Sequence, residues 1–351
     1  MPTCLYIYDK NSHKINDMNI YIDANNFYFR ILFGSGINLK LETESQRESL
    51  FESFVIAMYN TLDNFSNPDM IYFVKDGQSW RKKYLPEYKS NRDKSEIDYN
   101  NFGVVQKKFE DFLSKVDINV LMCPSCEADD VIFYKVNTSE DVSVIISGDN
   151  DFNQLLSKKC FRYDAINNIL VSIDVLNLPT VIKKKVTNKV VNPRKEEIKK
   201  IICGCKLDFV SGVYGIGDAK FEKIYSEILK VDDIKPSEFV KNNCRDTASI
   251  ILKFLSRNTT ETIDSITETL KNSIHLTVLS DNTIDSDVLT EIKNMLDRRI
   301  SEKIYFKRLR KDFLHIAGIY QEEKDDNHEP RKSDIFKIHN VDDTDMSFIK
   351  G

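Results

Sequence analysis

Val142-Ser143-Val144-Ile145-Ile146-Ser147-Gly148-Asp149-Asn150-Asp151 decides the reading of this chain. The apolar, β-branched run predicts a buried strand, and the acids begin where that strand ends. In an open α/β sheet this is the end of a strand at which sites form. Upstream, Glu127-Ala128-Asp129-Asp130 sets a second acidic cluster at a loop that opens into a helix, where Glu127 and Asp130 would share one face. Like charges gathered in this way repel unless a multivalent cation lies between them. Acids also stabilise helix N-termini, so either cluster alone is more often a cap than a ligand set.

Working outward, the pattern repeats. Met18-Asn19-Ile20-Tyr21-Ile22 reads as a strand ending in Asp23, and Met70-Ile71-Tyr72-Phe73-Val74 as a strand closing on Lys75-Asp76-Gly77. A periodic helix at about 45–64 separates them, marked by Leu50, Phe54, Ala57, Met58 and Leu62. Helix 102–116, strand 118–122, a helix from Glu127, a helix bearing Leu155 and Leu156, and strands near 160–164 and 168–173 complete the unit. Strand, helix, strand with an acid at each strand end predicts a parallel βαβ sheet whose acids converge on one edge. Capping does not explain that convergence.

Between Trp80 and Lys94 six cationic side chains alternate with Trp80, Tyr84 and Tyr88. Cations neutralise phosphates while rings stack on bases, so the stretch suits nucleic acid as well as it suits a solvated basic loop. Residues 183–200 turn strongly basic and read as a linker followed by a helix from near Arg194. Beyond them the chain reads as mostly helical to about 320. There Gly212, Gly215 and Gly217 punctuate a turn between two helices, of the kind that leaves N–H groups free for a phosphate; a packing turn is the default alternative.

The 351 residues carry a formal charge of −5, which argues against indiscriminate polyanion binding but hides local patches. No apolar run reaches membrane-spanning length, and Met1 to Lys10 has no signal-peptide pattern. With an odd count of seven cysteines, a reducing cytoplasm is expected. The five histidines are scattered, so a histidine-based hydrolase has no support. Cys123-x-x-Cys126 and Cys203-x-Cys205 raise a structural zinc site as an alternative use of thiols, although Cys-x-Cys is poor zinc spacing.

Taken in order, Asp23, Asp76, LPEYKSNRD, EADD at 127–130, SGDND at 147–151 and GCKLDFVSGVYGIG at 204–217 resemble the 5′ nuclease superfamily. That family includes phage 5′→3′ exonucleases of the T-even RNase H type, the polymerase I 5′ nuclease domain and flap endonucleases. The resemblance implies a PIN-like, Rossmann-like parallel sheet with helices on both faces, spanning 18–182 after a polar leader at 1–17. It implies a helical arch at about 80–105, a helical domain at 183–320 with a helix-turn-helix at 204–230, and a charged tail at 321–351. Carried over by motif, Asp23, Asp76, Glu127, Asp129, Asp130, Asp149, Asp151 and Asp208 would hold two magnesium ions, with manganese able to substitute. Asp23 and Asp76 belong to the catalytic centre, where Lys89 and Arg92 would meet the scissile phosphate. Trp80, Arg81, Lys82, Lys83, Tyr88, Lys89, Arg92, Gly212, Gly215, Gly217 and Lys220 would bind DNA, Tyr88 by stacking on a terminal base, with potassium at the helix-turn-helix.

The implied activity is a metal-dependent, structure-specific 5′ nuclease that removes flaps and RNA primers from DNA and RNA–DNA duplexes as a monomer during phage replication in a bacterial cytoplasm. A PIN-type ribonuclease and a weakened junction-binding protein are the rivals. Two departures stand out: Cys205 occupies the place of the family's first aspartate in Gly-Asp-x-x-Asp, and Phe209 that of an asparagine. Ala219 stands where a lysine is usual, with Lys220 one place later. In the tail, Met346, Phe348 and Ile349 follow a run of acids and suit docking on a sliding clamp or a single-strand-binding protein. Deleting 335–351 should abolish pull-down of whichever partner uses it; unchanged binding to both disposes of that docking role.

Overall fold

Strand β1 (Met18–Asp23) lies at the centre of a sheet, paired in parallel with β2 (Met70–Lys75) on one side and β4 (Val142–Ile146) on the other. The computed structural model describes residues 18–65, 68–90, 96–174, 182, 186–256 and 259–297. Among them the sheet has seven strands in the order β3-β2-β1-β4-β5-β6-β7, with β3 at Asn119–Met122, β5 at Cys160–Asp164, β6 at Ile169–Ser172 and β7 at Thr187–Val190. Strands β1 to β5 run parallel, and β6 turns back antiparallel to β5. The order reverses between β1 and β4. That switch point opens a crevice at the strands' carboxyl ends.

Both faces of the sheet are covered, as the strands' nearly unbroken apolar runs require. Ile20, Ile22, Phe73 and Val144 pack on one side beneath α1 (Ala24–Gly34), α2 (Glu44–Leu62) and α3 (Tyr99–Lys115). Tyr21, Tyr72, Val74 and Ile145 alternate to the other side, against α4 (Ala128–Thr138) and residues 279–292. Phe109 anchors the first layer; its ring lies 5.7 Å from Phe27, stacked, and 5.4 Å from Phe54.

The second half is helical: α5 (Pro193–Cys203), α6 (Asp218–Val231), α7 (Pro236–Asn242), α8 (Cys244–Leu252) and α9 (Ile263–Thr277) share a core of their own. Helix α10 (Ser286–Asp297) returns to the sheet, where Val288 and Ile292 join the layer under α4. Between α5 and α6, Gly204-Cys205 pairs with Val210-Ser211 in a two-residue hairpin. No helix among the described residues is long and apolar enough to cross a membrane.

Several expectations change. Helix α1 was not expected between Asp23 and the helix at 45–64; it follows β1 directly, and Asp23 caps it by accepting from the Asn26 N–H at 3.1 Å. The expected helix at 155–156 is a turn of 3-10 helix at Asn150–Leu155, and Leu156 is already extended. The expected linker contributes β7, paired in parallel with β6, so the sheet extends past 182. The backbone ladder overrode the polar, basic composition there. Helix α3 begins at Tyr99 with Phe102 and Val105 in the core, so those residues belong to the scaffold and not to an arch. The leader at 1–17, residues 298–320 and the tail lie outside the described residues.

Phe109→Ala should cost about 3–5 kcal/mol, because a buried aromatic leaves a cavity that its neighbours fill only partly. A urea midpoint shifted by less than about 1 kcal/mol equivalent would contradict this account of the core.

Candidate active site at the strand ends

Asp23 ends β1, Asp76 follows β2 and Asp149 lies in the turn after β4, three neighbours in the sheet, so the sheet order itself gathers them at the switch-point crevice. Their placement is tightly specified. The Ser147 hydroxyl donates to Asp23 Oδ2 at 2.9 Å. Gly148 N–H donates to Asn26 Oδ1 at 3.0 Å, tying the 147–151 turn to the start of α1. Asp76 accepts from the Ala128 N–H at 2.8 Å and from the Asn25 amide. Arg162, buried within β5, donates to the Ser147 carbonyl, the Asn150 side chain and the Asn153 side chain at 2.9–3.0 Å, and so fixes the turn from behind.

Crowding raises several of these carboxyls. Burial, then the charge of Asp76, pushes Asp23 to about 6. Asp149 is open to solvent on one side, but the surrounding protein and then Asp151 push it up to about 7. Asp129 lies well above the usual carboxylate range through burial and the charges of Asp130 and Glu127, against the pull of Arg81.

Cations offset part of the charge. Burial alone would raise Asp151, but the Lys200 ammonium pairs with it and holds it below the ordinary value. Burial would likewise raise Glu127, and Lys89 and Arg81 together bring it down. Lys89 pairs directly with Glu127. Asp208 sits on the hairpin between α5 and α6; its carbonyl accepts from the Lys89 N–H at 3.3 Å and its carboxylate accepts from the Cys205 thiol at 3.2 Å. Burial, then Asp208, pushes that thiol up to about 12, which keeps it neutral.

Not every expected site residue faces the crevice. Asp130 is fully buried, and its oxygens accept from Arg81, from Trp80 Nε1 at 3.0 Å and from the Glu127 N–H at 3.2 Å. It caps and anchors α4 from inside. Arg81, expected on DNA, is 1% exposed; it bridges Glu127 at 3.0 Å, Asp130 at 2.8 Å and the Leu276 carbonyl at 3.0 Å. Trp80 is buried beside it, and Tyr88 is buried with its hydroxyl donating to Glu127 at 3.1 Å, so neither ring is free to stack on a base. The acids behind this segment draw the alternating cations and rings inward, a destination that composition does not encode. Lys82 is exposed, and Lys83 is exposed with Asp285 at 3.3 Å. Arg92 lies outside the described residues.

On the hairpin, Gly204 has φ +71° and a Cβ on Gly212 would meet Cys203 backbone at 2.1 Å, so these two glycines are needed where the strands touch. Gly215, with φ +80°, offers its carbonyl to Lys220 Nζ at 2.8 Å; Gly217 precedes α6. Lys200 and Arg162 were missed by sequence reading. Lys200 looked like one more cation in a basic run; Arg162, a charge inside the apolar strand CFRYD, was a usable signal.

The donors along the crevice are all oxygens, negative charge exceeds the nearby cations, and Asp129 and Asp151 keep 22% and 24% of their side-chain surface exposed. Among the described residues no three carboxylates, histidines or cysteines close on one point as a complete ligand shell. An all-oxygen donor set suits a hard cation better than a soft one. It does not suit the zinc alternative: Cys123 and Cys126 pack under α4, Cys203 packs against the helical core, and Cys205 is engaged with Asp208.

Residues 18–190 match the model of the 5′-3′ exonuclease N-terminal, resolvase-like domain. Over that stretch the chain is similar to the 5′ nuclease superfamily. A 5′-3′ exonuclease of Mycoplasmopsis pulmonis is 27% identical over 173 residues, covering 48% of this chain and 54% of the relative. DNA polymerase I of Caldicellulosiruptor bescii is 27% identical over 253 residues, covering 68% of this chain and 28% of the relative. The chain thus spans about half or less of the length of these relatives. The crystal structure of the T5 D15 protein with metal ions superposes with a TM-score of 0.55 at 20% identity, covering 86% of this chain and 99% of that one, a likeness of fold.

Arg81→Ala should destabilise the protein by about 3–5 kcal/mol, because it strands two buried carboxylates. Urea denaturation checks this; unchanged stability would return Arg81 to the surface role that its sequence context suggested.

Proposed function

We propose that this protein is a metal-dependent, structure-specific 5′ nuclease, acting as a 5′→3′ exonuclease and 5′-flap endonuclease. The observation that carries the reading is the convergence of Asp23, Asp76 and Asp149, from three adjacent parallel strands, on one crevice faced by Lys89. In support, relatives are named 5′-3′ exonuclease and DNA polymerase I, and a T5 neighbour is named a flap endonuclease in a complex with DNA and metal ions.

In this reading Asp23, Asp76, Glu127, Asp129, Asp149, Asp151 and Asp208 would hold magnesium, several of them through water, with manganese able to replace it. Bound divalent ions would supply charge neutralisation at the scissile phosphate and acidify a water. The protein's own part is positioning. Arg81 and Tyr88 hold Glu127, Ser147 and Asn26 hold Asp23, and Arg162 holds the turn that carries Asp149 and Asp151. The Lys89 ammonium, paired with Glu127, would meet charge building on the phosphate. Lys82, Lys83 and the hairpin before α6 would follow the DNA backbone, reading shape and phosphate with little sequence preference. Removal of RNA primers, potassium at the helix-turn-helix, a monomeric state and work in a phage-infected bacterial cytoplasm belong to the same proposal.

A second reading, a junction-binding protein with little activity, draws on Cys205: a neutral thiol donating to Asp208 stands where a carboxylate would add a ligand. One experiment separates the two. In magnesium, wild type should cut a 5′-flap duplex near the junction, and Asp149→Asn/Asp151→Asn should lower the rate at least about a thousandfold, as loss of a charge-stabilising group does. Cys205→Asp should raise it. Binding of the flap without cutting in magnesium or manganese would favour the second reading.

A further inference from the structure

The hairpin at the mouth of the acid site carries an exposed ring on a backbone that resists it. Phe209 has φ 61° and ψ 20°, the left-handed region. Bulky side chains are rare there, and such strain persists only where the surroundings impose it. Phe209 is 44% exposed, so it is not held there as a core residue. Lys89 is also left-handed, with φ 56°, and its N–H donates to the carbonyl of Asp208, the residue before Phe209. Two strained residues therefore meet. One turns its ammonium toward Glu127, and the other leaves its ring at the surface.

The surroundings do impose this conformation. The Phe209 N–H donates to the Lys206 carbonyl at 3.3 Å, Val210 is buried with Tyr88 and Leu276, and the Gly204–Gly212 contact closes the hairpin. Leu207, 48% exposed, widens the apolar surface, and Lys206 beside it is exposed.

We propose that Phe209 stacks on an unpaired nucleobase of the substrate next to the scissile phosphate, an inference that rests on the nuclease reading above. An exposed aromatic ring three residues from the exposed Lys206 matches a splayed single strand, whose bases stack on rings with little sequence preference. The exposed Lys206 favours a polyanion over an apolar protein surface, whereas the Lys89 ammonium is paired with Glu127. The ring is then a specificity device: it rewards ends or flaps with unpaired bases over fully paired duplex.

The test compares full-length wild type, Phe209→Asn, Phe209→Tyr and Ile234→Ala. Asparagine adopts the left-handed conformation readily, so Phe209→Asn removes the ring without disturbing the hairpin. Ile234 is an exposed apolar residue beyond the far end of α6. The probe is a 5′-flap DNA duplex with 2-aminopurine as the first unpaired base, read by fluorescence in EDTA and by steady-state cutting in magnesium. Wild type, Phe209→Tyr and Ile234→Ala should quench the probe. Phe209→Asn should lose most of the quenching and raise KM about tenfold, within the range for one base–aromatic stack, with kcat changed less than about twofold. Full quenching and unchanged KM in Phe209→Asn overturn the inference. Equal loss in Phe209→Asn and Phe209→Tyr also overturns it, since a retained ring should rescue. A wild type that neither binds nor cuts the flap overturns the nuclease reading itself, and this inference with it.

Discussion

Like charge held at the ends of parallel strands is the constraint on which the rest of the structure depends. A parallel sheet with a switch point brings strand ends together whatever they carry, and here they carry aspartates. Water cannot fully screen groups so crowded, and part of the cost appears as the raised carboxyls of Asp23, Asp129 and Asp149. The remainder is met by cations from distant parts of the chain: Arg81 after β2, Lys89 beside the hairpin and Lys200 from α5. These contacts join the two halves. Arg81 also reaches the Leu276 carbonyl at the end of α9, and Tyr88, Val210 and Leu276 form a small apolar cluster beneath.

Capping and site formation turn out to be compatible uses of the same acids. Asp23 caps α1 and also stands at the crevice; Asp149 accepts from the Asp151 N–H at 2.8 Å and also stands there. A carboxylate has two oxygens with several lone pairs, so one can hold a backbone N–H while the other faces outward. Asp130 shows the opposite outcome. All of its capacity is spent inside, on Arg81, Trp80 and the Glu127 N–H. The EADD motif thus divides between Glu127 and Asp130, both buried on Arg81, and Asp129, which stays half-buried at the crevice.

Pattern-based expectations held where a short-range rule applied and failed where a long-range partner intervened. The strands at 18–22, 70–74 and 142–146 were legible because apolar runs bounded by polar turns have few other uses. Asp23 and Asp76 stand out in the sequence because each closes or directly follows such a strand. Arg81, Trp80 and Tyr88 were misread as a DNA-facing set because composition records that cations and rings alternate, not which way they point. Their direction is set by Glu127 and Asp130, 46 to 50 residues away from Arg81 and Trp80. Strand β7 was misread for the same reason: a polar segment becomes a strand when a neighbouring edge supplies its hydrogen bonds, as β6 does.

By itself, then, the sequence determined the α/β class, the strand ends at which acids collect, the helical second half and the glycine-bearing turn between two of its helices. Periodicity and turn chemistry are local, and local rules read locally. Only the tertiary structure decided that Asp130 turns inward, that Lys200 neutralises Asp151, that Cys205 donates to Asp208, and that Phe209 stands exposed in a left-handed turn. Each of those outcomes depends on a partner brought close by sheet order or by the packing of the helical half, and electrostatic interaction depends on distance in space, which the order of residues along a chain does not contain.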